Sequence, residues 1–135
     1  VLWTVAFFNV YFTSYPEKSQ TVFQAGYQAA VKVAKESLKG ENPVDQVIIS
    51  SSVGQPYIYV LFFNKISPIS YHQGVLVQYL FPDKVTITDI ARENAILIFT
   101  PSDPLAEKLN QLPVRNTDVT DQTQNFYSLD TRDIE

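Results

Sequence analysis

The stretch that decides the fold is VIISSSVGQPYIYVLFF, from Val47 to Phe63. Its first three residues form a β-branched run typical of a buried strand, and three consecutive serines follow that run. Pro56 then stands where the first turn of a helix would lie, a position that favours Pro because its missing N–H costs nothing there. With the serines as caps we expect a helix from Pro56, although the continuous apolarity of YIYVLFF also fits a second strand.

A second unbroken apolar run, Ala95 to Phe99, is the strongest strand signal in the chain. Apolar runs without alternation are typical of strands covered on both faces, as in a parallel sheet with helices on both sides. We therefore predict an α/β fold with three layers, α/β/α, and a Rossmann-like, mostly parallel sheet. Val85 to Thr88 predicts a further strand, and the segment around Val114, Val119 and Phe126 predicts a C-terminal hairpin.

Helices are expected on either side of these strands. Pro16 predicts the start of a helix, and Gly40 predicts its end through a left-handed residue. Between them, apolar residues recur at helical spacing and predict one buried face, made of Phe23, Tyr27, Ala30, Val31, Ala34 and Leu38. Asp103 is expected to cap a further helix that begins next to Pro104.

Length, Cys content and charge limit the classes of protein to which this chain can belong. The 135 residues suit one domain, which we place at residues 16–135 behind a membrane-proximal lead-in at 1–15. The chain has no Cys, so disulfides, thiolate nucleophiles and Cys-based metal sites are excluded. The net charge of -4 lies in the last 20 residues, because Val1 to Arg115 holds nine acidic and nine basic residues. A neutral body with an acidic tail argues against nucleic acid as a partner.

The N-terminal segment VLWTVAFFNVYF is apolar but only twelve residues long. That is too short to cross a bilayer, which takes about 20 residues. It fits either a buried strand or helix of the fold or the end of a membrane helix. Its aromatic residues resemble the belt found at membrane surfaces, and the first residue is Val1, so we expect a piece of a larger membrane protein.

Candidate binding residues follow the first strand. A turn after a strand and before a helix is where α/β sheets bind ligands, and its backbone N–H groups suit an anion. The candidates there are Ser51, Ser52 and Gly54, and the rings of Tyr57 and Tyr71 would suit a sugar or peptide groove. The turn lacks a nucleotide-binding glycine pattern, so an ordinary strand-to-helix turn is the simpler interpretation.

The remaining polar residues give little support for catalysis. His72 is the only histidine, which permits a Ser-His-Asp hydrolase but excludes a multi-histidine metal site. A lone His beside Tyr71 is more often solvated or structural than catalytic, yet we retain His72 as a candidate ligand-binding residue. The acid pairs Asp118/Asp121 and Asp130/Asp133 are typical of a solvated surface. We therefore predict no catalytic residue, no metal and no cofactor.

The order of several short motifs resembles the C-terminal part of membrane glycosyltransferases. The motifs are YFTSYP, then FQAGYQAAVKVA, then VIISS, then PYIYVLFFNKISPISYHQ, and they cover Tyr11 to about Gln73. The superfamily is that of protein O-mannosyltransferases and aminoarabinose transferases, which use polyprenyl-phosphate sugars. The matching positions are Tyr11, Phe12, Tyr15, Pro16, Phe23, Gly26, Tyr27, Ala30, Pro56, Tyr57, Ile58, Pro68 and Tyr71.

This resemblance implies a soluble domain on the extracytoplasmic face of the membrane, following the last membrane helix of its parent. In the superfamily the catalytic acids lie in loops of the membrane portion, so no catalytic residue is carried over to this chain. The implied role is an accessory domain that helps acceptor recognition or stabilises the parent. Its partners would be the parent transmembrane domain and, through it, a polyprenyl-phosphate sugar or glycan acceptor. The alternative is a stand-alone module that binds a small ligand or sugar.

Overall fold

The computed structural model describes residues 2–22, 26–111 and 126–134. The described helices and strands are α1 (Leu2–Val22), α2 (Tyr27–Lys39), β1 (Gln46–Ile49), α3 (Pro56–Phe63), α4 (Pro68–His72), β2 (Tyr79–Leu80), β3 (Ala95–Phe99), α5 (Pro104–Lys108) and β4 (Tyr127–Asp130). Shorter 3-10 helices are Ile87–Ala91, Leu109–Gln111 and Thr131–Asp133.

The four strands form one open sheet in the order β2-β1-β3-β4. β1 is parallel to both β2 and β3, and β4 is antiparallel to β3. The prediction of a mixed α/β fold with a mostly parallel sheet is therefore confirmed. The predicted hairpin falls partly at 114–119, outside the described residues, and the described partner of β4 is β3.

Both faces of the two central strands are buried. Alternate residues of β1 enter different clusters: Val47 and Ile49 pack with α2 and α3, whereas Ile48 packs with α5. β3 divides in the same way, with its even-numbered Ile residues in the first cluster and Leu97 and Phe99 in the second. This double burial explains why β1 and β3 lack polar alternation, as a parallel sheet requires.

α2 buries the face that helical spacing predicts. Tyr27, Ala30, Val31 and Ala34 are buried on the sheet, whereas Phe23 lies outside the described residues. α2 ends at Gly40 as predicted, but the predicted left-handed conformation is wrong, because the φ of Gly40 is -64°. A Cβ there would lie 3.3 Å from the carbonyl oxygen of Glu36, so close approach accounts for the glycine.

The predicted helix start at Pro16 is also wrong, because α1 runs through this residue from Leu2 to Val22. Pro16 cannot donate a backbone hydrogen bond to the preceding turn, but the helix continues on both sides of it. The apolar residues before Pro16 are therefore helical, and the lead-in and the first residues of the predicted domain share one helix.

Two further expectations are corrected in the segments around β2. α3 confirms the helical alternative at Pro56, yet its N-cap is Gln55 and no side chain caps it, so the serines are not caps. Val85 to Thr88 is not a strand. Thr86 instead caps the 3-10 helix that begins at Ile87, and its N–H donates to Asp89 Oδ2 at 2.8 Å. This reciprocal capping box outweighs the strand preference of β-branched residues.

α1 differs from every other long element because its apolar side chains are exposed. Trp3 is 89% exposed and Phe12 is 68% exposed. Within the described parts of the chain, no helix combines the length and apolarity needed to cross a bilayer.

Candidate functional site

The strand order reverses between β1 and β3. After β1 the chain adds β2 on one side, and it then returns to add β3 on the other side. In open α/β sheets, ligands bind outside the carboxyl ends of the strands at such a reversal. Here two loops meet at this edge, residues 50–55 after β1 and residues 100–103 after β3. The first loop is tied to β3 by the Ser50 N–H, which donates to the Ile98 carbonyl at 2.8 Å, and to the second loop by the Ser50 hydroxyl, which donates to Asp103 Oδ1.

Asp103 is the centre of the polar side chains at this edge. It is only 1% exposed, and its Oδ1 accepts hydrogen bonds from the Ser50 hydroxyl at 2.7 Å and the Val85 N–H at 3.0 Å. Its Oδ2 accepts from the Thr100 N–H at 2.7 Å, the Thr100 hydroxyl at 2.9 Å and the Ser52 hydroxyl at 3.2 Å. One carboxylate therefore ties together both loops and the segment that begins at Val85.

The hydrogen bonds of Asp103 also set its charge. Burial alone raises the pKa of a carboxyl group, but the bonds from Thr100, Ser50 and Val85 outweigh it and hold the pKa of Asp103 below its usual value. Asp103 is therefore ionised at neutral pH. Among residues that the structure describes, no Lys or Arg forms an ion pair with it. A buried negative charge with no described cation paired to it disfavours an anionic ligand at this edge.

The structure brings four of the predicted site residues together at the end of β1. Ser51 bonds to the segment after β2, through its N–H to the Pro82 carbonyl at 2.8 Å and its hydroxyl to the Phe81 carbonyl at 3.3 Å. Ser52 lies beside it, with its hydroxyl 2.9 Å from that of Thr100.

Gly54 and Tyr57 complete this group. Gly54 has a φ of 152°, a conformation that favours glycine, and its N–H closes the turn on the Ser51 carbonyl at 3.2 Å. The Tyr57 ring stands 6.4 Å from that of Phe81, edge to face, and its hydroxyl donates to Gln55 Oε1 at 3.4 Å. The serine turn, the glycine and one aromatic ring thus share one edge of the sheet.

The other two predicted residues, Tyr71 and His72, lie on α4. Both are exposed, and their rings are tilted at 56° to each other with centroids 5.8 Å apart. Across the described ranges, no hydrogen bond joins His72 to a serine or aspartate, so the geometry does not assemble the triad that a hydrolase would need. Nor do the described residues contain a group of three or more His, Asp or Glu placed to hold a metal ion.

Sequence reasoning did not select Asp103, Thr100 or Tyr27 as site residues. Thr100 follows β3 as Ser50 follows β1, so a topology that puts β1 beside β3 would have identified it. Tyr27 begins α2 and stacks on Tyr59 with ring centroids 4.3 Å apart. Its hydroxyl is buried, and it has no hydrogen-bond partner among the described residues. Burial, followed by Tyr59 and the charge of Asp103, raises the pKa of Tyr27 to about 12.

The fold and this edge define a mixed α/β domain with a buried polar cluster at its topological switch point. Searches against protein-family models, curated proteins and solved structures found no match. The chemistry available at the edge is hydrogen bonding by serine and threonine hydroxyls around one ionised carboxylate. Both oxygens of Asp103 are already occupied by donors, which suits a structural role better than proton transfer.

Proposed function

We propose that this chain is a non-catalytic accessory domain of a membrane glycosyltransferase that uses polyprenyl-phosphate sugars. It would lie on the extracytoplasmic face of the membrane, beside the transmembrane domain of its parent. The resemblance of Tyr11–Gln73 to the C-terminal part of that superfamily supports the assignment. The domain would help acceptor recognition or stabilise the parent, and glycan or lipid-linked sugar would meet it through the parent.

The observation that carries this proposal is the surface of α1. Residues 2–16 contain no charged side chain. Stacked rings form two columns along the helix, one of Phe7, Tyr11 and Tyr15 and one of Phe8 and Phe12. These side chains are exposed, and water contact with so many apolar rings is costly, at about 25 cal/mol per Å². A membrane-embedded partner would remove that cost.

We also extend the fold class to the three-layer, Rossmann-like arrangement. Two observations support it: separate buried clusters on the two faces of the sheet, and the reversal of strand order between β1 and β3. In this arrangement α2 and α3 would form one outer layer. α5 and the 3-10 helices next to it would form the other.

The coding sequence upstream of Val1 tests the assignment to a membrane enzyme. We expect it to encode a series of apolar segments of about 20 residues each. If it encodes none, the proposal is contradicted. A second test is the transfer activity of the parent in membranes after removal of residues 16–135. We expect the parent to lose transfer activity or to change its use of acceptors. Unchanged activity with unchanged acceptor use would contradict an accessory role.

A second candidate function is binding of a small neutral polyhydroxyl ligand, such as a sugar, at the β1/β3 edge. Three features favour it: hydroxyls at Ser51 and Ser52, a nearby aromatic ring at Tyr57, and a fixed carboxylate that disfavours anions. Calorimetry with neutral monosaccharides and their phosphates should show saturable heat only for the neutral ligands. Substituting Ser51→Ala or Gly54→Val should abolish it. No heat with either group, or heat with the phosphates alone, would contradict this candidate.

A further inference from the structure

Three oxygen atoms at the β1/β3 edge form a small triangle. They are Ser52 Oγ, Thr100 Oγ1 and Asp103 Oδ2. The two hydroxyl oxygens are 2.9 Å apart. Asp103 Oδ2 lies 3.2 Å from the Ser52 oxygen and 2.9 Å from the Thr100 oxygen. The loop after β1 supplies one of these atoms and the loop after β3 supplies the other two, so the strand order assembles the triangle.

The hydroxyl protons around this triangle are too few for its oxygen–oxygen contacts. Six contacts of 2.7–3.2 Å join the hydroxyl oxygens of Ser50, Ser52, Thr100 and Ser102 to one another or to Asp103. Each of the four hydroxyls carries one proton, and ionised Asp103 carries none. Four protons make at most four two-centre hydrogen bonds. At least two contacts therefore bring lone pairs together, and a cation among the oxygens would relieve that repulsion.

A second cluster of similar residues has no such deficit. Thr86 Oγ1 lies 2.7 Å from Thr88 Oγ1 and 3.1 Å from Asp89 Oδ2, so two hydroxyl protons serve two contacts. Arg92 supplies a positive charge there, with its Nε 3.7 Å from Asp89 Oδ1. For Asp103, no Lys or Arg among the described residues plays that part. Of the two carboxylates, Asp103 is therefore the one whose charge an external cation would balance.

We propose that the triangle of Ser52, Thr100 and Asp103 binds Mg²⁺ as one face of an octahedron. Mg²⁺ takes oxygen ligands at about 2.0–2.1 Å in near-octahedral geometry, which places neighbouring ligand oxygens about 2.9 Å apart. The edges of 2.9, 2.9 and 3.2 Å fit that spacing. Ca²⁺ binds oxygen at about 2.3–2.6 Å, so its octahedron needs longer edges. Water would fill the other three positions, because Mg²⁺ dehydrates reluctantly.

The surroundings of the triangle allow both hydroxyls to coordinate an ion. Coordination uses an oxygen lone pair, so each hydroxyl proton must point elsewhere. Ser102 Oγ, 2.7 Å from Thr100 Oγ1, can accept the Thr100 proton. Ser52 is half-buried, so its proton can turn to water. Because Ser102 is exposed, a hydrated ion would enter on the side of Ser52 and Ser102. This site goes beyond the proposed function and does not depend on attachment through α1.

Thermal unfolding of the whole chain tests binding, because an ion held by the folded state raises the unfolding midpoint. Magnesium chloride is compared with sodium chloride at equal ionic strength, which accounts for screening. For a dissociation constant of about 1 mM, about 10 mM Mg²⁺ should raise the midpoint by about 4 °C. Ser52→Ala removes one ligand and should abolish the shift. Thr88→Val, the matched control, removes a hydroxyl of the second cluster and should keep it.

Mn²⁺, which suits the same oxygen ligands, locates the ion by broadening nearby NMR signals of the native chain. Broadening should be strongest at the Ser52 and Thr100 amides and weaker at Asn94, because the five residues of β3 separate Asn94 from this edge. Broadening strongest elsewhere, such as at the acidic C-terminal residues, would overturn the site. So would a midpoint shift that equals that of sodium, survives Ser52→Ala or disappears in Thr88→Val. A larger shift with Ca²⁺ would contradict the octahedral assignment.

Discussion

At the β1/β3 edge polar side chains are buried, whereas on α1 and α3 apolar side chains are exposed, so both regions invert the usual distribution. At the edge, Ser50, Thr100 and Asp103 are polar and almost fully buried. On the two helices, Phe12 and Phe62 are apolar and largely exposed. The polar groups of Ser50, Thr100 and Asp103 find hydrogen-bond partners among the described residues of the edge. The exposed rings are not covered by any residue that the structure describes.

The largest expected contrast comes from two phenylalanines. Phe99→Ala removes a fully buried ring from β3 and should lower the free energy of unfolding by about 4 kcal/mol. Phe62→Ala removes an exposed ring, and it should change that free energy by less than about 0.5 kcal/mol. Urea denaturation measures both. Similar losses for the two variants would mean that Phe62 is covered in the folded chain.

The next effect concerns the centre of the polar edge. Asp103→Ala leaves donors from Ser50, Thr100 and Val85 without an acceptor, and burial makes unpaired donors costly. We expect a loss of about 3 kcal/mol in the free energy of unfolding. Asp83→Ala, at an exposed position, is the control and should be close to neutral. A loss no larger than that of the control would show that Asp103 does not hold the loops together.

Acidification should reduce the stability that ionised Asp103 gives to the β1/β3 edge. Because the folded-state pKa of Asp103 is below its usual value, the unfolded chain binds this proton first as pH falls. The stabilisation is therefore present above the usual pKa of aspartate and is lost as pH falls through the folded-state pKa. The free energy of unfolding, measured from about pH 5 to about pH 3, should fall less steeply in Asp103→Asn than in the native chain.

Asp130 should account for part of the pH dependence of the free energy of unfolding that remains in Asp103→Asn. Burial raises its pKa, but the hydrogen bonds and charge of Arg132 outweigh this and lower it. Asp130→Asn should therefore remove a second, separate part of the slope. Identical slopes in the native chain and in Asp103→Asn would contradict the assignment of a lowered pKa to Asp103.

The smallest effect is expected at Tyr27. Its buried hydroxyl lacks a described partner, so Tyr27→Phe should be neutral or should stabilise by up to about 1 kcal/mol. The stacking on Tyr59 is retained in this variant. A loss of more than about 1 kcal/mol would mean that the hydroxyl bonds to a water or ligand at the edge. Thermal and urea denaturation together provide the measurement.

Several elements can be predicted from the sequence because their apolar runs or helical spacings lie within a few consecutive residues. The runs at Val47 and Ala95 form strands, and the helical spacing from Tyr27 forms the buried face of α2. Pairing decides elements that the local pattern leaves open, such as the apolar segment Val75 to Phe81, which fits either a strand or a helix. β2 has only two residues, and it exists because Tyr79 and Leu80 align with β1. No local pattern can reveal a strand that is fixed by its neighbour.

The candidate site likewise has one part that the sequence predicts and another part that depends on strand order. Ser51, Ser52, Gly54 and Tyr57 lie together because they are near one another in sequence. Asp103 was expected to cap α5, but its carboxylate reaches Ser50, which is 53 positions away, and no side-chain cap is present. That contact depends on β1 lying beside β3. Only the strand order, which sequence does not display, makes Asp103 the centre of the edge.

The proposed location of this domain is outside the cytoplasm, on a membrane reached through α1. Because the chain has no Cys, Glu93→Cys in the full-length protein would give one reporter thiol within this domain, at an exposed position. A membrane-impermeant maleimide added to intact cells should label this thiol without permeabilisation. Labelling that appears only after the cells are permeabilised would contradict the account.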